Sequence, residues 1–171
     1  MRNLIFFFFI FLTGCAPHTV TLMSPKGISG DATINGCGQI PSTFQYEMKD
    51  SKYKVDLHYN SVYLVVEVVD GSNVEWLNNE ITVLVNNESH ILKAKNLIRD
   101  DRVRDPCGGF TDTFNCKTYR NYYLNIEIEA LKGATQVNIV PPIPMVNKKA
   151  FEVSEIEFKE VTKTLMQAIN C

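Results

Sequence analysis

The side chains best suited to chemistry in this 171-residue chain are few and dispersed. Imidazole is the group whose ordinary pKa lets it move a proton near neutral pH or bind a metal as the free base. The three histidines, His18, His58 and His90, lie far apart, with no cluster of ligand-type residues around any of them. His58 falls in the alternating run Tyr53 to Tyr59, on the same side as Asp56 and Lys54, which by strand parity is the solvent side. Solvated histidines are therefore expected at 58 and 90, and no metal site. Residues Asp100 to Asp105, followed by Asp112, offer the hard oxygen ligands that Ca²⁺ prefers. Arg102 and Arg104 interrupt them, however, and no D-x-D-x-D-G order is present, so mixed charge on a solvated loop is the simpler expectation. No G-x-S-x-G, H-E-x-x-H, G-x-G-x-x-G or P-loop pattern occurs either. The chain is not expected to be an enzyme. Only a glycosidase-type carboxylate pair, whose members can come from distant strands, escapes a test by spacing.

Binding is the better-supported chemistry. Residues 96 to 120 form the longest stretch without strand periodicity and hold Phe110, Phe114, Tyr119 and Arg120 beside the charged run. Long structured loops in compact domains commonly carry function, and aromatic and Arg side chains dominate binding energy where they do. Phe110, Phe114 and Arg120 are the candidate partner-binding residues; the alternative is a loop that merely covers one end of the fold. Trp76 lies between turn residues at Gly71 and Asn78-Asn79. Tyr122 and Tyr123 point to opposite faces of one strand, so one belongs to the core and the other to the surface.

The elements that must position these residues read as strands. Tyr53 to Tyr59 alternates strictly, with Tyr53, Val55, Leu57 and Tyr59 on one face. Val62 to Val69 is almost wholly apolar and β-branched, as a central strand covered on both faces requires. Glu80 to Asn86 and Ser89 to Lys95 predict a hairpin, with Asn86-Asn87 tolerating positive φ. Asn121 to Glu129 alternates with Tyr122, Leu124, Ile126 and Ile128 inward, and Thr135 to Val140 is cut off by Pro141-Pro142. Phe151 to Phe158 switches parity near Ser154, which predicts two short strands or a bulge. Val161, Leu165, Met166 and Ile169 recur at three- and four-residue steps, predicting a short closing helix from about Glu160 to Asn170. The fold class expected is mainly β: an antiparallel β-sandwich with a short C-terminal helix, a small β-barrel being the alternative. In outline, Val62 to Leu92 looks like immunoglobulin-type sandwiches, without naming a family.

The first residues are of another kind. Arg2 precedes nine residues without a polar side chain, Leu4 to Leu12. At about 1.5 Å per residue they cover roughly 14 Å, under half the hydrocarbon thickness of a bilayer, so they suit a signal peptide and not a lasting membrane span. They end in Leu12-Thr13-Gly14-Cys15, which resembles the lipobox of bacterial lipoproteins: a branched apolar residue, two small ones, then Cys. The resemblance covers about the first fifteen residues. It implies cleavage before Cys15, a covalent lipid on that thiol, and, with Ala16 rather than Asp next, an outer-membrane position facing the periplasm. Residues 1 to 14 would then be removed and 15 to 30 would serve as anchor and tether, with Thr19 to Met23 able to pair as an edge strand instead. Residues 31 to 171 would form one domain.

With Cys15 assigned to lipid, Cys37, Cys107, Cys116 and Cys171 remain, and an even count outside the cytosol predicts two disulfides. Three connectivities are open to them and the sequence does not choose; the lean is to a Cys107–Cys116 bridge, which closes a short loop at little entropic cost and would leave Cys37 for Cys171. Seventeen Lys+Arg against nineteen Asp+Glu give a net charge of -2, which offers no cationic field for nucleic acid. The partners expected are the membrane, through the lipid, and an envelope protein, with no cofactor beyond the lipid itself. Three functions fit: a protein-binding or assembly module, an inhibitor or immunity lipoprotein against a wall-degrading enzyme or toxin, and a glycan-binding or hydrolytic domain.

Overall fold

The structure, a computed structural model, describes residues 17–34, 40–105 and 116–165. Within them the alternation of apolar and polar residues resolves into strands. In chain order these are β1 (His18–Gly27), β2 (Asp31–Thr33), β3 (Thr43–Met48), β4 (Ser51–His58), β5 (Ser61–Val69), β6 (Val74–Asn78) and β7 (Glu80–Val85). There follow β8 (Glu88–Lys93), β9 (Ile98–Arg104), β10 (Tyr119–Glu127), β11 (Gln136–Val140), β12 (Ile143–Val146), β13 (Lys149–Ala150) and β14 (Ile156–Leu165), with a 3-10 turn at Glu129–Leu131.

They make three antiparallel sheets. One has six strands in the order β2-β3-β4-β5-β10-β9, one has five in the order β1-β14-β11-β7-β8, and a small one has the order β13-β12-β6. No sheet closes on itself, so the fold is sandwich-like and not a barrel. Phe44, Tyr46, Tyr53, Val55, Leu64 and Val66 of the six-stranded sheet and Ile81, Val83, Ile139, Ile156 and Phe158 of the five-stranded one are at most 1% exposed and form a single core. Burying each such side chain contributes about 1.5 to 3 kcal/mol. The small sheet continues the five-stranded one in pairing: β6 runs into β7 and β11 into β12, while β7 pairs with β11 and β6 with β12. Pro141-Pro142, which lack the amide N–H a ladder needs, stand at the break opposite Asn79.

Several expectations are met locally. β5 lies in the middle of its sheet between β4 and β10, but the cover expected on both faces is found on one: Val62, Leu64, Val66 and Val68 enter the core, whereas Tyr63 and Val65 on the other side are only half-buried. Asn86 and Asn87 take φ of 50° and 67°, the paired positive values of a tight hairpin turn between β7 and β8. Over Phe151 to Phe158 the expected pair of short strands, or single bulged strand, is not formed: residues 151 to 155 are irregular and β14 begins only at Ile156, so the parity switch falls where there is no strand.

The closing helix is not formed. Residues 160 to 165 belong to β14, and the rest of that prediction falls outside the described residues. Val161, Thr162 and Thr164 are β-branched and favour the strand, and β14 gains β1 as a partner along its whole length. β1 itself occupies most of the stretch expected to act as a tether. Its glycine serves close approach, since a Cβ on Gly27 would lie 2.5 Å from Cζ of Phe44. Tyr59, expected inward, sits in the turn after β4 and is 76% exposed.

Candidate functional site

The six-stranded sheet turns Phe44, Tyr46, Tyr53 and Val55 toward the core, so strand parity sends Thr43, Gln45, Lys54 and Asp56 to its other face. Register then aligns them into rows. Thr43, Asp56, Tyr63 and Asn125 face one another across β3, β4, β5 and β10. Beside them run Gln45, Lys54, Val65 and Tyr123, and then Glu47, Lys52, Glu67 and Asn121. Thr33 and Ile34 at the end of β2 form one wall, and Asp100 and Arg102 of β9 the other. Together they line a groove of about 670 Å³.

Its charged groups are largely paired with one another. Arg102 Nε lies 3.1 and 3.2 Å from the two Asp100 carboxylate oxygens and Nη2 3.0 Å from Oδ2, and this fork holds the Asp100 carboxyl below the usual range. Lys52 Nζ stands 3.6 Å from Glu47, and Lys54 Nζ 3.9 Å from Glu67. Glu67, buried beneath, is met at 2.9 Å by Arg104 Nη2. Asp56 differs from these. It is 9% exposed and, among the described residues, has no ion-pair partner and accepts one hydrogen bond, from the Thr43 hydroxyl. Burial pushes its carboxyl above the ordinary value, with the Thr43 bond and the charges of His58 and Lys54 pulling the other way. Next to it the Tyr63 ring lies 6.3 Å from that of Tyr123, tilted by 35°, and 6.1 Å from His58. Burial is also the first cause of the raised Tyr63 hydroxyl pKa, with Tyr123 second.

The residues singled out by sequence are dispersed by the fold. The expectation of a solvated histidine holds for His58, exposed at the end of β4 close to the groove, but not for His90, which is half-buried on β8 with its Nε2 out of solvent and without a hydrogen bond among the described residues. Asp56 shares the face of His58 and Lys54, as parity requires, but neighbouring side chains enclose it. Among the described residues no group of three or more His, Cys, Asp and Glu gathers to hold a metal. His18 takes a position on β1 opposite Leu165. Trp76 packs against the core and its Nε1 donates to the Lys95 carbonyl at 2.9 Å. Tyr122 packs inward and Tyr123 faces the groove.

The stretch 96 to 120 is partly regular. Residues 98 to 104 form β9, an edge strand exposed along most of its length, and with no buried face it shows no alternation. Arg120 is held inward: it is 8% exposed, Nε donates to Asp70 at 2.6 Å and Nη1 to the Asp100 carbonyl at 2.8 Å. Those bonds tie β10 to β9 and to the turn after β5. Phe110, Phe114, Asp112, Cys15, Cys37, Cys107 and Cys171 fall outside the described residues. Cys116 is disulfide-bonded.

The groove was missed at the sequence level because half of its frame was. Phe44-Gln45-Tyr46-Glu47 alternates as plainly as β4 does, and reading it as a strand would have placed Thr43 and Gln45 beside the outward side of Tyr53 to Tyr59. Compared with known protein families, curated proteins and solved structures, the chain matches none.

Proposed function

We propose that this chain is a lipid-anchored binding protein of a bacterial envelope, attached through Cys15 to the outer membrane and presenting the groove of the six-stranded sheet to a periplasmic envelope component. The lipobox resemblance at Leu12 to Cys15 supports the anchor. The groove carries the binding half of the reading: side chains of β3, β4, β5, β9 and β10 converge on it from paired strand positions. Rigid elements hold contact groups in place before a partner arrives, which lowers the entropic cost of association.

Fractionation of Cys15→Ser tests the anchor. The variant should leave the membrane fraction on a salt wash, and its retention there at mature size would overturn the assignment. For the binding half, cross-linking in intact envelopes should capture a component through the groove, and Tyr123→Ala should reduce that capture at an unchanged melting temperature. Undiminished capture by that variant would move the site elsewhere.

A further inference from the structure

We infer that the ligand of this groove is a saccharide chain without net charge; the inference rests on the reading of the groove as a binding site. A sugar ring shows two kinds of surface: hydroxyls that each donate and accept a hydrogen bond, and a patch of C–H groups that packs on an aromatic face. A site for it needs donors and acceptors interleaved within a few ångströms, with an aromatic ring beside them.

The groove supplies both. Asp56 is an acceptor with one oxygen engaged by Thr43. Lys54 and Arg102 are donors on either side, and the Gln45 and Asn121 amides can act in both senses. The Tyr63 and Tyr123 rings stand on neighbouring paired strands, with centroids 6.3 Å apart.

Charge decides against the other polar ligands. The Arg102–Asp100 fork and the Lys52–Glu47 and Lys54–Glu67 pairs leave little field for an acidic chain. Among the described groove residues a basic chain would meet Asp56 as the unpaired acid, and burial disfavours the ionised form of that carboxyl. A protein partner would ordinarily seek a desolvated apolar anchor site. Here the apolar side chains lining the groove, apart from its tyrosines, are Val65 and Ile34.

The test titrates the mature, disulfide-intact protein with neutral oligomers of N-acetylglucosamine and of glucose at millimolar concentration, following Tyr ring protons by saturation transfer. Binding of at least one oligomer is expected. Tyr123→Ala and Asp56→Asn should each weaken it by roughly tenfold or more, with Tyr123→Phe close to the parent. Melting curves check that the variants fold. If no neutral oligomer binds, or if binding is indifferent to Tyr123→Ala and Asp56→Asn, the saccharide inference is overturned. Envelope cross-linking separates that failure from a wider one: a captured protein lost with Tyr123→Ala keeps the groove as the site and replaces its ligand, whereas capture indifferent to the variant removes the site as well.

Discussion

Two buried tyrosines of the same core have hydroxyls in opposite circumstances. Tyr46 and Tyr53 stack with centroids 5.7 Å apart. Tyr46 donates to the Ser154 carbonyl at 2.6 Å, and burial moves its pKa up to about 12. Tyr53 is fully buried and its hydroxyl has no partner among the described residues. A typical buried hydrogen bond contributes about 1 kcal/mol and an unsatisfied polar group costs about 1 to 3 kcal/mol. Tyr46→Phe should therefore destabilise by about 1 kcal/mol while Tyr53→Phe is neutral or stabilising, and chemical denaturation of both variants checks the contrast. Asp56 makes a forecast in pH. Its folded pKa lies above the ordinary 3.8, so at low pH both states hold the proton and nothing is lost. As pH rises through 3.8 toward the folded value the unfolded chain releases its proton first, and stability falls, to level off above that value. Asp56→Asn should lack this fall and gain on the parent as pH increases; parallel melting curves across the acid range would refute it. None of this was legible in the sequence, because parity assigned Asp56 to a face but not to an enclosed place on it. Arg120 escaped in the same way, since its partners Asp70 and Asp100 come together only through the β5–β10–β9 pairing.

Strands with one buried face announced themselves, and β4, β5, β7, β10 and β11 were all readable from alternation or from an apolar run. Apart from β8, which its hairpin turn gave away, edge and sheet-switching elements were not. β9 exposes most of its residues, and β6 and β12 are short and lie next to a bend. In β14 a helical spacing of Val161 and Leu165 competed with β-branched neighbours, and the long partner β1 decided the outcome. That partner separates a tether from a structural strand by experiment. A chain lacking residues 17 to 27 would be indifferent to the loss if they were a tether. As β1 they cover β14, with Met23 packed on the core and Gly27 seated against Phe44. The shortened chain should lose cooperative unfolding, or melt lower by about ten degrees or more, corresponding to roughly 2.5 to 5 kcal/mol or above for a chain of this size. Circular dichroism on heating measures it.

Across the whole molecule, the sandwich leaves β1, β8, β2 and β9 as open edges of its two larger sheets. The sandwich itself was legible from strand count and turn spacing, whereas the sheet order was not, because it depends on which strands cross between layers. Cys116, just before β10, is disulfide-bonded. Closing a loop removes freedom from the unfolded chain, so reduction should destabilise by about 2 to 4 kcal/mol, seen as a lowered urea midpoint with dithiothreitol. An unchanged midpoint would mean that the bridge restrains only its own loop. The pairing of β1 with β14 has a mechanical side. Its rungs run without interruption from His18–Leu165 to Gly27–Ile156, and β1 is the strand that leads to the amino end. Tension drawn along β1, as the proposed anchor at Cys15 would transmit it from a load on the proposed binding groove, would drag that strand lengthwise and stress every rung together. A sideways pull separating His18 from Leu165 would open the same ladder like a zip, one rung at a time. Resistance to force would then depend on the direction of loading more than on the number of bonds.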